Sequence, residues 1–304
     1  MSLVWIAGPD DGATVGALLQ RAGVDLAAVH EGRVFVGRKR ARSEADAIHA
    51  GETLRVASHV ESPPVTLLAR ASDLVVINKP AGIATIADHL GRHHAAQALT
   101  ARLLGLDEAR LHATSRLDRD VSGAVTFALT KDARDRLALA RTEGTYVRRY
   151  VALVERAPAA SFGTWNVPIG RARDPKLRAP DGEQATTATT HFRVVDSALS
   201  FALLALEPVT GRTHQLRVHA AHAGCPMVGD RDYGARTRVV LPSGRVLAPD
   251  RVALHCACVG VPLADGSRLE VKAPIPEVLT SLWMALGGEP SAWDRALQCS
   301  LDRL

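Results

Sequence analysis

The sequence has 304 residues, of which 47% are hydrophobic and only 4% aromatic, and its formal net charge is +5. This length and composition exclude a disordered chain and favour one large or two unequal globular domains, packed mainly through alanine, valine and leucine. The basic excess is compatible with binding to nucleic acid or to a phosphorylated small molecule, and it does not separate these two.

The N-terminal residues predict a small α+β unit spanning residues 1–60. Apolar residues at helical spacing indicate a helix within residues 15–22, and short apolar runs indicate strands at residues 34–36 and 51–56. Arg38, Lys39 and Arg40 follow the first of these strands. Side chains on such a turn can reach consecutive phosphates, although a solvated basic loop explains the same charges equally well.

A linker is predicted at residues 61–66, because the paired prolines Pro63 and Pro64 continue neither a helix nor a central strand. Residues 67–304 then predict one mixed α+β domain. Its strands are expected at residues 74–77, 124–129, 148–154, 201–206 and 252–259, and its helices at 95–104, 131–141, 212–223 and within 290–304.

The turn before the strand at residues 124–129 contains two carboxylates, Asp118 and Asp120, flanked by arginines. A loop that is rich in ionisable groups and leads into a buried strand can hold a reactive carboxylate rigidly. Aspartates that cap backbone groups of the turn are an equally good explanation. The residues alone do not choose between the two carboxylates.

Two further segments carry candidate site residues. A basic helix is expected to begin after Gly211, with Thr210 or Thr213 as its cap, and Arg217 lies about one turn from His214. An arginine there is suited to pair with a distant carboxylate, hold it ionised and fix its orientation. In the strand at residues 148–154, the alternation turns Tyr150 inward, where its ring can also stack on a nucleobase.

Several of these segments, in this order and spacing, resemble the signature motifs of the RluA family of RNA pseudouridine synthases. The resemblance extends from about residue 67 to residue 276, and the N-terminal unit is similar to the alpha-L type RNA-binding domain. The motifs are residues 78–82 (NKPAG), 116–120 (RLDRD) with 122–123 (SG), 168–171 (PIGR), 211–219 (GRTHQLRVH), 228–230 (VGD) with 233–234 (YG), 254–255 (LH) and 273–274 (AP).

The resemblance implies an α+β pseudouridine synthase fold, with a mixed and largely antiparallel central sheet flanked by helices. It also implies that Asp118, and not Asp120, is the essential catalytic residue, that Arg217 pairs with it and that Tyr150 stacks near the target base. Arg116 is expected to help hold that base out of its helix. Further RNA contacts are expected from Lys79, Arg212, His214, Arg38, Lys39 and Arg40.

One position departs from the family pattern, because Ser115 stands where the family usually has histidine before Arg-Leu-Asp. This change leaves the acidic residue intact and puts the packing of the loop, or one RNA contact, in question.

The chemistry implied by the resemblance requires no cofactor and no metal, because uridine and pseudouridine are isomers. A carboxylate attacks the sugar, as in retaining glycosidases, or removes a ribose proton to give a glycal, and the sequence does not choose. The target nucleotide must be flipped out or already unstacked. The expected partner is ribosomal or transfer RNA, with large-subunit ribosomal RNA favoured by analogy, and no protein partner is implied.

Three other functions were weighed. A zinc site formed by His214, His219, His222, Cys225, Cys256 and Cys258 is disfavoured, because the helical histidines diverge and the strand cysteines lie on a core face. A non-catalytic RNA-binding protein would not need Asp118, Tyr150 and Arg217. A glycosidase that uses Asp118 and Asp120 needs two convergent carboxylates, whereas side chains two positions apart in a turn diverge.

The cysteines and the N-terminal residues bear on the cellular compartment. The four cysteines show no regular framework, which favours a reducing environment. The N-terminal residues contain neither a basic leader nor an apolar run long enough for a signal core or a membrane span. We therefore expect a cytoplasmic, monomeric protein without a membrane anchor.

Overall fold

The computed structural model describes residues 3–9, 11–30, 34–37, 39–56, 64–87, 94–241 and 246–298. The N-terminal part forms an antiparallel four-stranded sheet in the order β1-β4-β2-β3. Its elements are β1 Leu3–Ile6, α1 Val15–Arg21, α2 Ala27–His30, β2 Val34–Val36, β3 Lys39–Arg40 and β4 Thr53–Val56.

The N-terminal sheet and helices bury their own apolar cluster. The hydroxyl of Thr14 accepts a hydrogen bond from the Ala17 amide, so α1 begins at a conventional polar cap. Leu18 and Leu19 on α1 pack with Leu54 of β4, and all the buried residues of this cluster lie between Ala7 and Val56. The predicted helix and both predicted strands are therefore present. The division of the chain into domains, with a linker at residues 61–66, stays a prediction.

The remaining described residues contain fifteen strands and five helices. The strands are β5 Thr66–Arg70, β6 Leu74–Lys79, β7 His112–Ala113, β8 Ser122–Ala128, β9 Val147–Val154, β10 Phe162–Trp165, β11 Ile169–Arg171, β12 Arg178–Pro180, β13 Glu183–Thr186, β14 Thr190–Ala198, β15 Phe201–Pro208, β16 Val239–Val240, β17 Val246–Leu247, β18 Leu254–Pro262 and β19 Arg268–Lys272. The helices are α3 Ala96–Leu104, α4 Lys131–Thr142, α5 Gln215–His222, α6 Glu277–Ala285 and α7 Ala292–Gln298.

Ten of these strands form the central sheet, in the order β10-β14-β15-β9-β18-β8-β6-β5, with β7 added to β8 and β19 added to β18. The pair β8–β18 is parallel and the other pairs are antiparallel. The predicted fold class, a mixed and largely antiparallel sheet with flanking helices, is confirmed.

Both faces of the central sheet are covered. On β9, Tyr150 and Ala152 belong to the apolar cluster that includes α4, whereas Val151 and Leu153 belong to the cluster that includes α6 and α7. This alternation follows from the two-residue period of a strand. Because both faces are buried, the central strands are almost continuously apolar in sequence.

The parallel pair β8–β18 depends on Gly123. This residue has φ +121°, and a Cβ there would lie 2.2 Å from the carbonyl oxygen of Cys256. Only glycine accepts both the backbone conformation and the close approach. The loop of residues 114–121 ends at this fixed point, so the start of β8 anchors the segment that contains Asp118.

The structure corrects the predicted start of the basic helix. The helix α5 begins at Gln215 instead of residue 212, because His214 adopts a left-handed conformation with φ 58° and forms its N-cap without a side-chain hydrogen bond. The prediction that Thr210 or Thr213 caps this helix is therefore wrong. Instead, Thr210 donates a hydrogen bond to the Gln215 side chain at 2.7 Å.

The sequence patterns also missed several elements, which are β1, α2, β3, β5, β7, β10 to β14, β16, β17, β19 and α6. The strands among them are short or partly exposed and lack a clean apolar alternation; all four residues of β13, for example, are exposed. Among the described residues, no helix combines the length and the apolar character that a membrane crossing requires.

Candidate active site

Asp118 lies in the loop between β7 and β8, and backbone contacts on both sides of it fix that loop. The Thr85 hydroxyl accepts a hydrogen bond from the Leu117 amide and donates one to the Leu117 carbonyl, both at 2.9 Å. The Val121 amide donates to the Asp118 carbonyl and closes a turn. The Asp118 side chain is 26% exposed, so it is held rigidly and still accessible.

Lys79 supports the same loop through its buried side chain. Its side chain is fully buried, and its ammonium donates to the carbonyls of Pro80, Ile83 and Arg119 at 2.7–3.1 Å. Burial lowers the pKa of Lys79 to about 7. A side chain without exposed surface cannot touch RNA, so the geometry assigns Lys79 to holding the loop and not to the RNA contact expected from the sequence.

Arg217 on α5 reaches Asp118 from a distant part of the chain, but its shortest contacts are elsewhere. Its Nη1 lies 3.4 Å from Asp118 Oδ2, whereas its Nε and Nη2 donate to the two carboxylate oxygens of Asp230 at 2.8 and 2.7 Å. The Nη2 also donates to Asp232 at 2.9 Å. Asp230 therefore fixes the plane of the guanidinium and leaves Nη1 directed at Asp118.

The charge of Arg217 is strongly favoured by these partners. Burial lowers the pKa of Arg217, but the hydrogen bonds and the charge of Asp230 outweigh it and raise that pKa above its usual value. The ring of Tyr233 lies 4.8 Å from the guanidinium carbon and covers it further. The result is a permanent cation beside Asp118.

His214 approaches the same carboxylate oxygen of Asp118 as Arg217 does. Its Nε2 is 4.0 Å from Asp118 Oδ2, and its Nδ1 is 2.7 Å from the Tyr233 hydroxyl, which accepts a hydrogen bond from the Arg178 amide. Burial lowers the pKa of His214, and the charge of Asp118 opposes that shift. The left-handed backbone of His214 thus directs its ring at the carboxylate, with Tyr233 fixing the ring orientation.

Asp118, His214 and Arg217 line one open cleft with a volume of about 490 Å³, which lies in the usual size range of ligand sites. Tyr150 contributes to its wall from β9 and is 6% exposed. Burial raises the pKa of Tyr150 well above its usual value, so the phenol stays neutral and suited to stacking. The arginines that line the cleft are Arg116, Arg119, Arg141, Arg148, Arg212 and Arg217.

The structure brings together most of the predicted site residues, but not all. Asp118, Tyr150, Arg217, Arg116, Arg212 and His214 line the cleft, whereas Lys79 does not. Lys39 and Arg40 lie on β3 of the N-terminal sheet and are not part of the cleft lining. Arg38 lies outside the described residues.

The cleft distinguishes Asp118 from its neighbour in sequence. Asp120 is exposed and does not belong to the cleft lining. A two-carboxylate site formed by this pair has no support in the geometry. The position of Asp120 agrees with a surface or turn role.

Ser115, the residue that departs from the family pattern, is buried against Tyr146. The Ser115 hydroxyl lies 3.2 Å from the Tyr146 hydroxyl, and the Thr114 hydroxyl lies at the same distance from it. Ser115 also lines the cleft. A small polar network thus occupies the position where the family usually has a histidine.

The residues of the disfavoured zinc site are engaged separately. His219 contacts the Thr190 hydroxyl through Nδ1 and the Val167 carbonyl through Nε2, while His214 faces Tyr233 and Asp118. Cys225, Cys256 and Cys258 are buried, and burial raises the pKa of each thiol to about 11 or 12. The described residues contain no group of three potential ligands that converge on one point.

Sequence reasoning missed the role of Asp230. It was part of a motif, Val228-Gly229-Asp230, but nothing in the local pattern showed that its carboxylate is fully buried against Arg217. The available signal was an aspartate directly after a glycine that follows the apolar residues Met227 and Val228. Gly229 has φ +80°, and a Cβ there would meet the Arg251 carbonyl at 2.0 Å, so this turn is also tightly fixed.

Comparison with known proteins adds independent information. Residues 73–222 match the family model described as RNA pseudouridylate synthase. The uncharacterized RNA pseudouridine synthase YhcT of Bacillus subtilis is 34% identical over 71% of this chain and 70% of its own. The ribosomal large subunit pseudouridine synthase D of Vibrio cholerae is 29% identical over 84% of each chain. The solved structure of human RNA pseudouridylate synthase domain containing 4 aligns with a TM-score of 0.57 and 25% identity, covering 73% of this chain and 92% of that one.

Proposed function

The chain belongs to the RluA family of RNA pseudouridine synthases, and from this premise we propose that it isomerises uridine in RNA with Asp118 as the catalytic carboxylate. The observation that carries the assignment is the position of Asp118 in an arginine-lined cleft, 3.4 Å from Arg217, with Tyr150 in the wall. Family membership supports the reaction. The geometry supports the choice of residue.

The reaction breaks the bond between ribose C1′ and base N1 and joins C1′ to base C5. The C5 atom loses a proton and N1 gains one, so the atoms balance without an outside reactant. Asp118 either attacks C1′ or removes a proton from the ribose, and both routes need one accessible, oriented carboxylate. The detached base carries anionic character, which cationic arginines in a prearranged cleft stabilise.

The surrounding residues have distinct proposed roles. Arg217 orients the Asp118 carboxylate through Nη1, and Tyr150 offers a flat neutral surface to the uracil ring. Arg116, which is exposed at the cleft, is placed to contact RNA around the flipped nucleotide. Arg212 is exposed too, and His214 faces the Asp118 carboxylate.

Tritium release from RNA labelled at C5 of uridine tests the reaction, because forming the new bond frees the C5 hydrogen to water. We expect Asp118→Asn to abolish release, by at least about 10³-fold, because the amide is neither nucleophile nor base. RNA affinity should change little. Unchanged release by this variant would remove Asp118 from the catalytic role.

Asp120→Asn is the matched control. It removes the same charge from an exposed side chain that lies two positions after Asp118. We expect its release rate to stay within about threefold of the wild type. Loss of release in both variants would mean that the charge of the loop, and not the position of Asp118, matters. RNA binding without any release by the wild-type protein would favour the non-catalytic alternative.

We propose large-subunit ribosomal RNA as the target, and a cytoplasmic location, where that RNA is modified. The support is that several relatives are named ribosomal large subunit pseudouridine synthase D. Mapping pseudouridines in ribosomal and transfer RNA from cells with and without the gene tests this assignment. If cells without the gene lose pseudouridine only from transfer RNA, the target is transfer RNA and not ribosomal RNA, and the proposed reaction is unaffected.

A further inference from the structure

Two arginines of the cleft have no acidic partner among the residues that the structure describes. Arg141 lies in the last turn of α4 and Arg148 lies on β9, and both line the cleft that contains Asp118. Arg148 is only 7% exposed, and Arg141 is half-buried. Within the described parts of the chain, the hydrogen-bond partners of both side chains are backbone carbonyls and no carboxylate pairs with either.

The carbonyl contacts leave donor groups unused. Arg141 donates through Nη1 to Thr114, and Arg148 donates through Nη2 to Pro208 and Thr210. The Arg148 Nε is buried and has no hydrogen-bond partner among the described residues. Since a guanidinium has five N–H donors, each side chain has donors that no described residue accepts from and a charge that no described carboxylate pairs with.

Gly211 leaves a space between the two guanidinium groups. A Cβ at this position would lie 2.5 Å from Arg141 Nη2 and 3.4 Å from Arg148 Nη1. Both cations therefore approach the same point above the Gly211 backbone. Any side chain there would fill the space that they share.

Placing two partly buried cations together is unfavourable unless an anion joins them. Burial, followed by the charge of Arg148, lowers the pKa of Arg141, which is the expected sign of this repulsion. The carbonyl contacts explain how the loop of residues 208–211 is held. They do not explain why the cations remain unneutralised.

The position of Arg148 relative to Tyr150 indicates which ligand the two arginines bind. Arg148 precedes Tyr150 by two residues on β9, so the two side chains share one face of the strand. A nucleotide whose base lies against Tyr150 would carry its backbone past Arg148. Arginine pairs are well suited to phosphate because their forked donors match its oxygens.

We propose that Arg141, Arg148 and the open backbone of Gly211 form a binding site for a phosphodiester group of the RNA next to the target uridine. This inference rests on the proposed function. It assigns the two arginines to holding the flipped nucleotide by its backbone, separately from the base contact at Tyr150 and the sugar chemistry at Asp118.

Binding of the full-length protein to an oligouridylate of about 12 nucleotides, measured between about 50 and 200 mM KCl, tests the site without knowledge of the natural target. We expect Arg141→Gln to weaken binding about tenfold at the lower salt concentration. It should also reduce the slope of log affinity against log salt by about 0.7, the value for one single-strand phosphate.

The control is Arg134→Gln, which removes the same charge from the same helix at an exposed position paired with Asp135. Its affinity should stay within about twofold of the wild type. Gly211→Ala keeps the net charge and fills the space, so it should weaken binding at least about fivefold. Thermal unfolding of each variant shows whether the fold is retained. Arg141 is substituted instead of Arg148 because it is only half-buried, so its replacement disturbs the fold less.

Equal losses in Arg141→Gln and Arg134→Gln would overturn the proposal in favour of a general charge effect, and so would unchanged binding by Arg141→Gln. In the tritium assay, Arg141→Gln should raise KM about tenfold and leave kcat within about threefold. A fall in kcat with an unchanged KM would contradict the proposed phosphate site. Absence of release by the wild-type protein on every RNA would refute the proposed function, while the salt slopes would still decide the phosphate site.

Discussion

Arg217 makes shorter hydrogen bonds to Asp230 than to Asp118, and this difference bears on how Asp118 is oriented. Two short bonds to a fully buried carboxylate fix the guanidinium plane, and the remaining Nη1 approaches Asp118 at only 3.4 Å. A long contact in the free protein is able to tighten when substrate binds. The carboxylate of Asp118, which we propose as the catalytic group, is thus oriented by Arg217 through one long contact.

Asp230→Asn should therefore reduce catalysis, although Asp230 does not touch the substrate cleft. The amide retains one acceptor oxygen but loses the charge and one of the two bonds to Arg217. We expect kcat to fall by at least about tenfold with KM within about threefold, and the free energy of unfolding to fall by about 3 kcal/mol. Tritium-release kinetics and urea denaturation measure the two effects.

Asp232→Asn is the control for this prediction, because Asp232 bonds the same Nη2 from a side chain that is 55% exposed. Its kcat should stay within about threefold of the wild type. A merely structural role of Asp230 would lower stability and leave the kcat of the folded fraction unchanged. That result would contradict the positioning role.

His255 predicts a pH dependence of stability. Its Nδ1 lies 2.8 Å from the Ser122 hydroxyl, its side chain is fully buried, and burial lowers its pKa to about 3. Because the unfolded chain binds a proton near pH 6.5 and the folded chain does not, this contribution is present above about pH 6.5. It is lost progressively as the pH falls toward about 3.

From about pH 7 to about pH 5, the loss from this histidine amounts to about 2 kcal/mol of unfolding free energy. In His255→Asn, which does not titrate in this range, the pH dependence should be shallower by that amount. Urea denaturation of both proteins at several pH values measures it. Parallel curves for the two proteins would show that His255 titrates alike in the folded and unfolded states.

At the scale of elements, the site depends on how β8 meets β18. The loop that contains Asp118 ends at Gly123, where the backbone of β18 approaches too closely for any Cβ. The start of a buried strand thereby fixes one end of the loop that contains Asp118. The helix α5 reaches the same point from the other side through Arg217.

Gly123→Ala should be severely destabilising, by at least about 3 kcal/mol, because the methyl group would collide with backbone at 2.2 Å in a left-handed conformation. Gly105→Ala is the matched control, since Gly105 ends α3 with φ +64° and has open space around its Cβ position. It should cost about 1 kcal/mol. Denaturation midpoints compare the two, and equal costs would mean that conformation, and not contact with β18, explains Gly123.

The sequence predicted those elements whose burial pattern is simple. α4 and β9 were located to within a residue or so, because α4 has one apolar stripe and β9 has a continuous apolar run. β10 to β13 were not found, since these strands have only three or four residues each and lack an apolar period. The start of α5 was misplaced because a left-handed histidine is set by its contacts with Tyr233 and not by a capping residue.

At the scale of the whole molecule, the N-terminal unit has its own apolar cluster and its basic residues lie away from the cleft lining. This separation of the described basic residues, which include Lys39 and Arg40, supports a role in RNA affinity and not in the chemical step. The predicted domain boundary allows a direct test.

A protein that begins at residue 64 should retain the chemistry. We expect kcat within about threefold of the full chain and KM raised about tenfold, because losing an auxiliary basic surface weakens binding without altering the cleft. Single-turnover and steady-state tritium release separate the two parameters. An equal fall in kcat, with the truncated protein folded by circular dichroism, would show that the N-terminal residues contribute to the cleft.

The sequence by itself determined the family, the reaction class and the candidate carboxylate, because ordered motifs of this length constrain all three. It did not determine which groups meet. The contact between Arg217 and Asp118 joins residues 99 positions apart. Lys79 contacts the Arg119 carbonyl over 40 positions, and Arg148 contacts the Thr210 carbonyl over 62. Such contacts depend on how the strands and helices pack, and local pattern has no access to that distance. Charge and hydrogen bonding at a site follow from what surrounds each side chain, which only the tertiary structure decides.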